Sequence, residues 1–125
     1  MKKLVFLLLV LPLSMQAQKD FDFKVFTNHL TATKNYEGKS DTLSAKMLRS
    51  FEKTANVIKA VNPTNTGDVT EYKIEYNGYS PTHRHFVYRV VKMDGEDVPS
   101  GMTIFINPIL PTVTIKTEHT LSIFE

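Results

Sequence analysis

The stretch SDTLSAKMLRSFEKTANVIKAV, residues 40–61, decides how the rest of the chain is read. Its apolar residues Leu43, Met47, Leu48, Phe51, Ala55 and Ile58 recur mostly at three- and four-residue steps, which is the stripe of an amphipathic helix. Ser40 or Asp41 stands where a helix N-cap belongs. Asn62-Pro63 then stops the helix, because the residue before a proline is pushed out of the α region. The pattern predicts one main helix over residues 40–61.

Outward from that helix the chain reads as strands. On the N-terminal side, Phe21, Phe23 and Val25 alternate with Asp22 and Lys24, while Phe23, Phe26 and Leu30 also fit a helical face. Thr27, Thr31 and Thr33 tip residues 20–33 toward a strand, and Asn35–Lys39 forms a loop. On the C-terminal side, Thr70–Tyr76 alternates cleanly and His83–Met93 carries apolar residues on both faces. Met102–Ile106 is short, and Thr112–Phe124 keeps alternation as one long final strand. Turn-rich segments at Asn77–Thr82, Asp94–Ser100 and Asn107–Pro111 separate these runs.

These elements predict an α+β fold, with one helix packed on an antiparallel sheet of four consecutive strands and an added N-terminal strand beside the last one. The outline resembles a cystatin-like roll, a resemblance of fold that implies no function.

Residues 1–17 set the destination. Lys2 and Lys3 precede the apolar run Leu4–Leu13, and Ser14–Ala17 offers a small residue before a cut. That is the anatomy of a secretory signal peptide, far short of the ~20 apolar residues of a spanning helix. A single domain, Gln18–Glu125, is expected to be exported to the periplasm or the extracellular space, with no membrane span after cleavage. The chain contains no cysteine, so disulfides and thiolate chemistry are excluded. An exported small domain without disulfides points to a bacterial source. The formal net charge of +2 equals what Lys2 and Lys3 contribute, so the remainder is neutral. A neutral domain offers no electrostatic footprint for nucleic acid.

Candidate chemistry is sparse. His83 and His85 sit at i and i+2 on one strand face, but His119 falls roughly 26 Å further along the sheet at ~3.3 Å per residue. No metal site is expected from them. His119 lies on the apolar face of the last strand and is expected in the core or at its boundary, where a buried acid/base is the alternative role. Lys46, Arg49 and Lys53 read as a solvated helix face, Glu71 and Glu75 as outward strand positions, and Asp94, Glu96 and Asp97 as a turn. No nucleophile elbow, zinc-binding H-E-x-x-H, P-loop or dinucleotide fingerprint occurs, so no catalytic residue and no cofactor is assigned.

In a meander alternate loops emerge at the same end, which brings Asn77–Thr82 together with Asn107–Pro111. Tyr79, Ile109 and Leu110 are apolar where turn chemistry does not require it, and prolines 81, 108 and 111 stiffen their loops. They are the expected partner-binding residues. The function expected is that of a small exported non-enzymatic interaction module, of inhibitor or immunity type, contacting another protein or an envelope component. The alternative is a ligand-binding or catalytic domain with a cavity between helix and sheet, using His119 and a tyrosine such as Tyr72 or Tyr88.

Overall fold

The computed structural model describes residues 20–98 and 101–125; the segment 1–17, expected to be a signal peptide, lies outside the described residues. Among the described residues nine strands follow one another: β1 (Phe23–Tyr36), β2 (Lys39–Thr54), β3 (Val57–Asn62), β4 (Asn65–Ser80), β5 (His85–Met93), β6 (Glu96–Asp97), β7 (Thr103–Asn107), β8 (Thr112–Lys116) and β9 (Thr120–Phe124). All pairings are antiparallel. β4 pairs with β5, and β9 returns to β1, so eight strands close into an up-and-down barrel. The two-residue β6 folds back on β5 outside that ring.

The α+β expectation is therefore overturned: the described residues contain no helix, and the four-strand sheet with an added strand is instead part of a closed barrel. With no helix to cross the sheet, the likeness to a cystatin-like roll lapses as well. The 40–61 stretch becomes β2, a tight turn at Ala55-Asn56, and β3. The physical reason lies in the spacing. Leu43, Met47 and Phe51 are four apart, and a step of four satisfies a period of 2 as well as a period near 3.6. Ala55, at φ 53°, makes the reversal that the sequence did not advertise with a glycine. Val57, Ile58 and Val61 are β-branched residues that then favour a strand.

The single long final strand is also corrected. Thr117–His119 is a turn that splits it into β8 and β9, with the Thr117 amide bonded to the Thr120 carbonyl. β1 supplies the other neighbour of β9, pairing Leu30 with Phe124 and Lys34 with Thr120.

Barrels of eight strands are just wide enough for side chains to fill the inside or for one small ligand. Here Val25, Phe51, Ile58, Tyr72, Ile74, Phe86, Tyr88, Ile104, Ile106 and Val113 occupy the inner positions as one cluster. The outer face is charged in a pattern that reinforces the register. Lys24 lies opposite Glu52, Glu52 opposite Lys59, and Lys59 opposite Glu71, a ladder of alternating sign across four strands. Lys46, Arg49 and Lys53, read together as one basic helix face, are separated by the strand. Lys46 is exposed, Arg49 reaches Asp68 at 3.5 Å, and Lys53 turns into the barrel.

Candidate functional site at one mouth of the barrel

The mouth at which β1 begins gathers the segment 20–22, the Ala55-Asn56 turn, the β4–β5 turn and the β7–β8 turn. Its outer part is an apolar notch of about 230 Å³ lined by Phe21, Tyr79, Arg84, Phe86, Ile109 and Leu110, together with Asn107 and Pro108. All three residues expected from sequence to bind a partner, Tyr79, Ile109 and Leu110, are on this one notch.

A bulge puts Tyr79 there. The loop expected over Asn77–Thr82 begins later than the sequence suggests: β4 continues to Ser80, and Gly78 at φ 106° absorbs the irregularity. Tyr76 pairs with Tyr88 and Tyr79 with Phe86, so two tyrosines three residues apart share the inner face. A regular strand would have sent them to opposite faces. Tyr79 is half-buried, with its ring 4.8 Å from that of Phe86.

The β7–β8 turn is held by Asn107, whose Oδ1 accepts from the amides of both Ile109 and Leu110 at 3.0 Å. The turn is thus stiff, yet its side chains do not fold into the core: Ile109 is 87% and Leu110 64% exposed.

Behind the notch lies a polar cluster in which Tyr88, a candidate in the alternative reading, meets Lys53 and Asp20, which the sequence did not single out as a site. Lys53 is only 3% exposed, and its Nζ stands 2.8 Å from Asp20 and 3.5 Å from Asp22. The Tyr88 hydroxyl, on a fully buried residue, donates to Asp20 Oδ1 at 2.9 Å. The ammonium also lies over the Tyr88 ring, 5.9 Å from its centroid. Burial, then the bond to Asp20, holds the Tyr88 phenol protonated well above the usual tyrosine range. Burial and the Asp20 carboxylate push the Tyr76 phenol in the same direction. The signal in the sequence was Lys53 two residues from Phe51, an inward position once the segment is a strand.

The histidines do not converge. His83 and His85 stack with centroids 5.3 Å apart, and His85 rests on Phe105. Burial and the neighbouring His83 favour the neutral form of His85. His119 is in the β8–β9 turn, 56% exposed and against Tyr36, rather than in or at the edge of the core. Among the described residues no group of three or more His, Asp or Glu side chains is placed to hold a metal ion.

The fold and the site together define a class: a small up-and-down antiparallel barrel with a filled interior, an apolar notch at one mouth and a buried lysine behind it. No family model, no curated protein and no solved structure matches the chain.

Proposed function

We propose that the protein is a small exported non-enzymatic binding module that holds another protein or an envelope component through the Tyr79–Ile109–Leu110 notch. The observation that carries this reading is the β7–β8 turn, which keeps two large aliphatic side chains in water on a backbone already ordered by Asn107. Exposing them costs solvation that a partner recovers, and pre-ordering lowers the entropy of docking. The notch, at about 230 Å³, exceeds the ~150 Å³ that accepts benzene and falls below the roughly 300–1,000 Å³ of pockets enclosing a whole ligand. It suits one aromatic or branched side chain, the usual anchor of a protein interface. Arg84 at its rim favours a partner with an acidic group beside that anchor.

Ion pairs Lys24–Glu52, Arg89–Glu75 and Lys92–Asp97 on the outer face support a barrel that stands in water, since a lipid-facing barrel carries an apolar band. Export rests on Lys2-Lys3 and the Leu4–Leu13 run. The alternative cavity between helix and sheet has no helix to form it. For the test, Ile109→Ser with Leu110→Ser should abolish capture of the partner that the unmodified protein retains from an envelope fraction. Stability should stay within about 0.5 kcal/mol, as for other surface changes. Capture that survives the double substitution would refute the notch as the contact.

A further inference from the structure

A lysine inside a small barrel takes a position where an apolar side chain would pack at no electrostatic cost. Lys53 is nonetheless 3% exposed, so an anion must accompany it. The two donors that converge at this point, Lys53 Nζ and the Tyr88 hydroxyl, belong to β2 and β5 of the barrel wall. The acceptor does not. Asp20 precedes β1, takes part in no strand pairing, and is 29% exposed where its partners are buried. The donor half of the site is built into the fold, and the acceptor half reaches it from outside.

The next residue completes the likeness to a bound molecule. Phe21 lays its ring edge-on against Phe86 at 5.1 Å and Phe23 at 5.5 Å, yet remains 43% exposed. Asp20-Phe21 therefore presents a carboxylate to a buried lysine and an aromatic ring to an apolar wall. The segment's further tethers are at Asp22, which accepts from the Ala55 amide at 2.9 Å and lies 3.5 Å from Lys53.

We propose that Lys53 and Tyr88 form a carboxylate-binding site that Asp20 fills in cis, and that an apolar carboxylic acid can take its place, with its hydrophobic group on Phe86 where Phe21 now rests. Exchange is the only inexpensive way to free the segment, because withdrawal alone strands the Lys53 charge. The acid can be a small molecule or the C-terminal carboxylate of a protein chain ending in an apolar residue; the recognised chemistry is shared. The carboxylate-binding donors lie behind the notch, while Phe21 and Phe86 also line it. Because Lys53 and Tyr88 hold the carboxylate without Ile109 or Leu110, the difference between acid and amide should survive Ile109→Ser with Leu110→Ser whether or not the notch holds a partner.

The test uses 3-phenylpropionate and its uncharged amide. Asp20→Ala should lower the melting temperature, and 3-phenylpropionate should raise it again saturably by several degrees while the amide does not. Adding Lys53→Met to Asp20→Ala should remove that carboxylate-specific rise. Calorimetric titration should show at least tenfold tighter binding to Asp20→Ala than to the unmodified protein, where Asp20 competes. If Asp20→Ala does not fold, the unmodified protein still reports: amide exchange over residues 20–22 should accelerate with the acid and not with the amide. A free-acid peptide ending in Phe that binds more tightly than 3-phenylpropionate assigns the source to a chain terminus, and the reverse order to a small acid. A melting temperature indifferent to the acid, a rise that persists without Lys53, or exchange that the acid leaves unchanged overturns the proposal.

Discussion

Removing Asp20 and removing Lys53 should not cost the same, although each breaks the same ion pair. Asp20→Ala leaves the Lys53 ammonium in a position 3% exposed, where Asp22 at 3.5 Å is the other carboxylate paired with it among the described residues. Stranding one member of a buried pair costs about 3–5 kcal/mol. Asp22 remains near, though 62% exposed, and its partial compensation brings the electrostatic cost to or just below the bottom of that range, roughly 2–3 kcal/mol. The Tyr88 hydroxyl also loses its acceptor, a further loss of about 1 kcal/mol. The sum is about 3–4 kcal/mol, or some 10–25 °C in melting temperature for a domain of this size. Lys53→Met keeps an unbranched apolar stem in the same space and removes the charge that needed company. Asp20, partly exposed, stays hydrated and still accepts from Tyr88, so the change should cost no more than about 1 kcal/mol. Urea titrations followed by circular dichroism will read both as shifts in midpoint at constant slope. If Lys53→Met proves as damaging as Asp20→Ala, the lysine is contributing net stability and the assignment of cost to its desolvation is wrong.

Three further outcomes follow from the barrel. Ile104, fully buried, should lose about 3 kcal/mol on substitution by Ala, whereas Leu43→Ala, at a position 61% exposed, should fall within about 0.5 kcal/mol; a helix over 40–61 would require Leu43 to be costly. Far-ultraviolet circular dichroism of the purified protein should show a β spectrum without the paired helical minima. The raised Tyr88 phenol stabilises the fold in its protonated form, so its contribution is whole below the ordinary value of 10.0 and drains away as pH rises past it. Urea stability should therefore decline above about pH 10, and Tyr88→Phe should lessen that slope without abolishing it, because Tyr72 and Tyr76 are shifted the same way.

Much of the strand content is written locally. In the middle of β4 apolar and polar residues alternate strictly enough to mark a half-buried strand, and Asp94-Gly95 is a two-residue reversal with both φ values positive. The failures are equally local in origin. Leu43, Met47 and Phe51 obey two periods at once, so only the pairing of Phe51 with Val25 on one side and Ala60 on the other decides between them. His119 shares the parity of the apolar residues around it, yet Thr117 closes a turn on Thr120 that ends the alternation there. Tyr79 stands out as an apolar residue in a turn-rich segment, but its inward aim depends on the Gly78 bulge, which only its registration against Phe86 reveals.

Alternation, turn chemistry and the absence of cysteine are properties of neighbouring residues, and for this protein they are sufficient to mark β5, β7 and the middle of β4 and the apolar turn at Ile109-Leu110, though not the break between β8 and β9. Closure is a different kind of fact. The N-terminal strand expected beside the last one does pair with it, as β1 with β9, but which parity of β2 faces inward depends on contacts between residues far apart in the chain, since a one-residue slip sends every side chain to the other face. That choice alone turned Lys53 from a surface charge into a buried one. It also brought Asp20 to Tyr88, 68 residues away in sequence, because a buried ammonium must be met by a carboxylate wherever the chain can supply one.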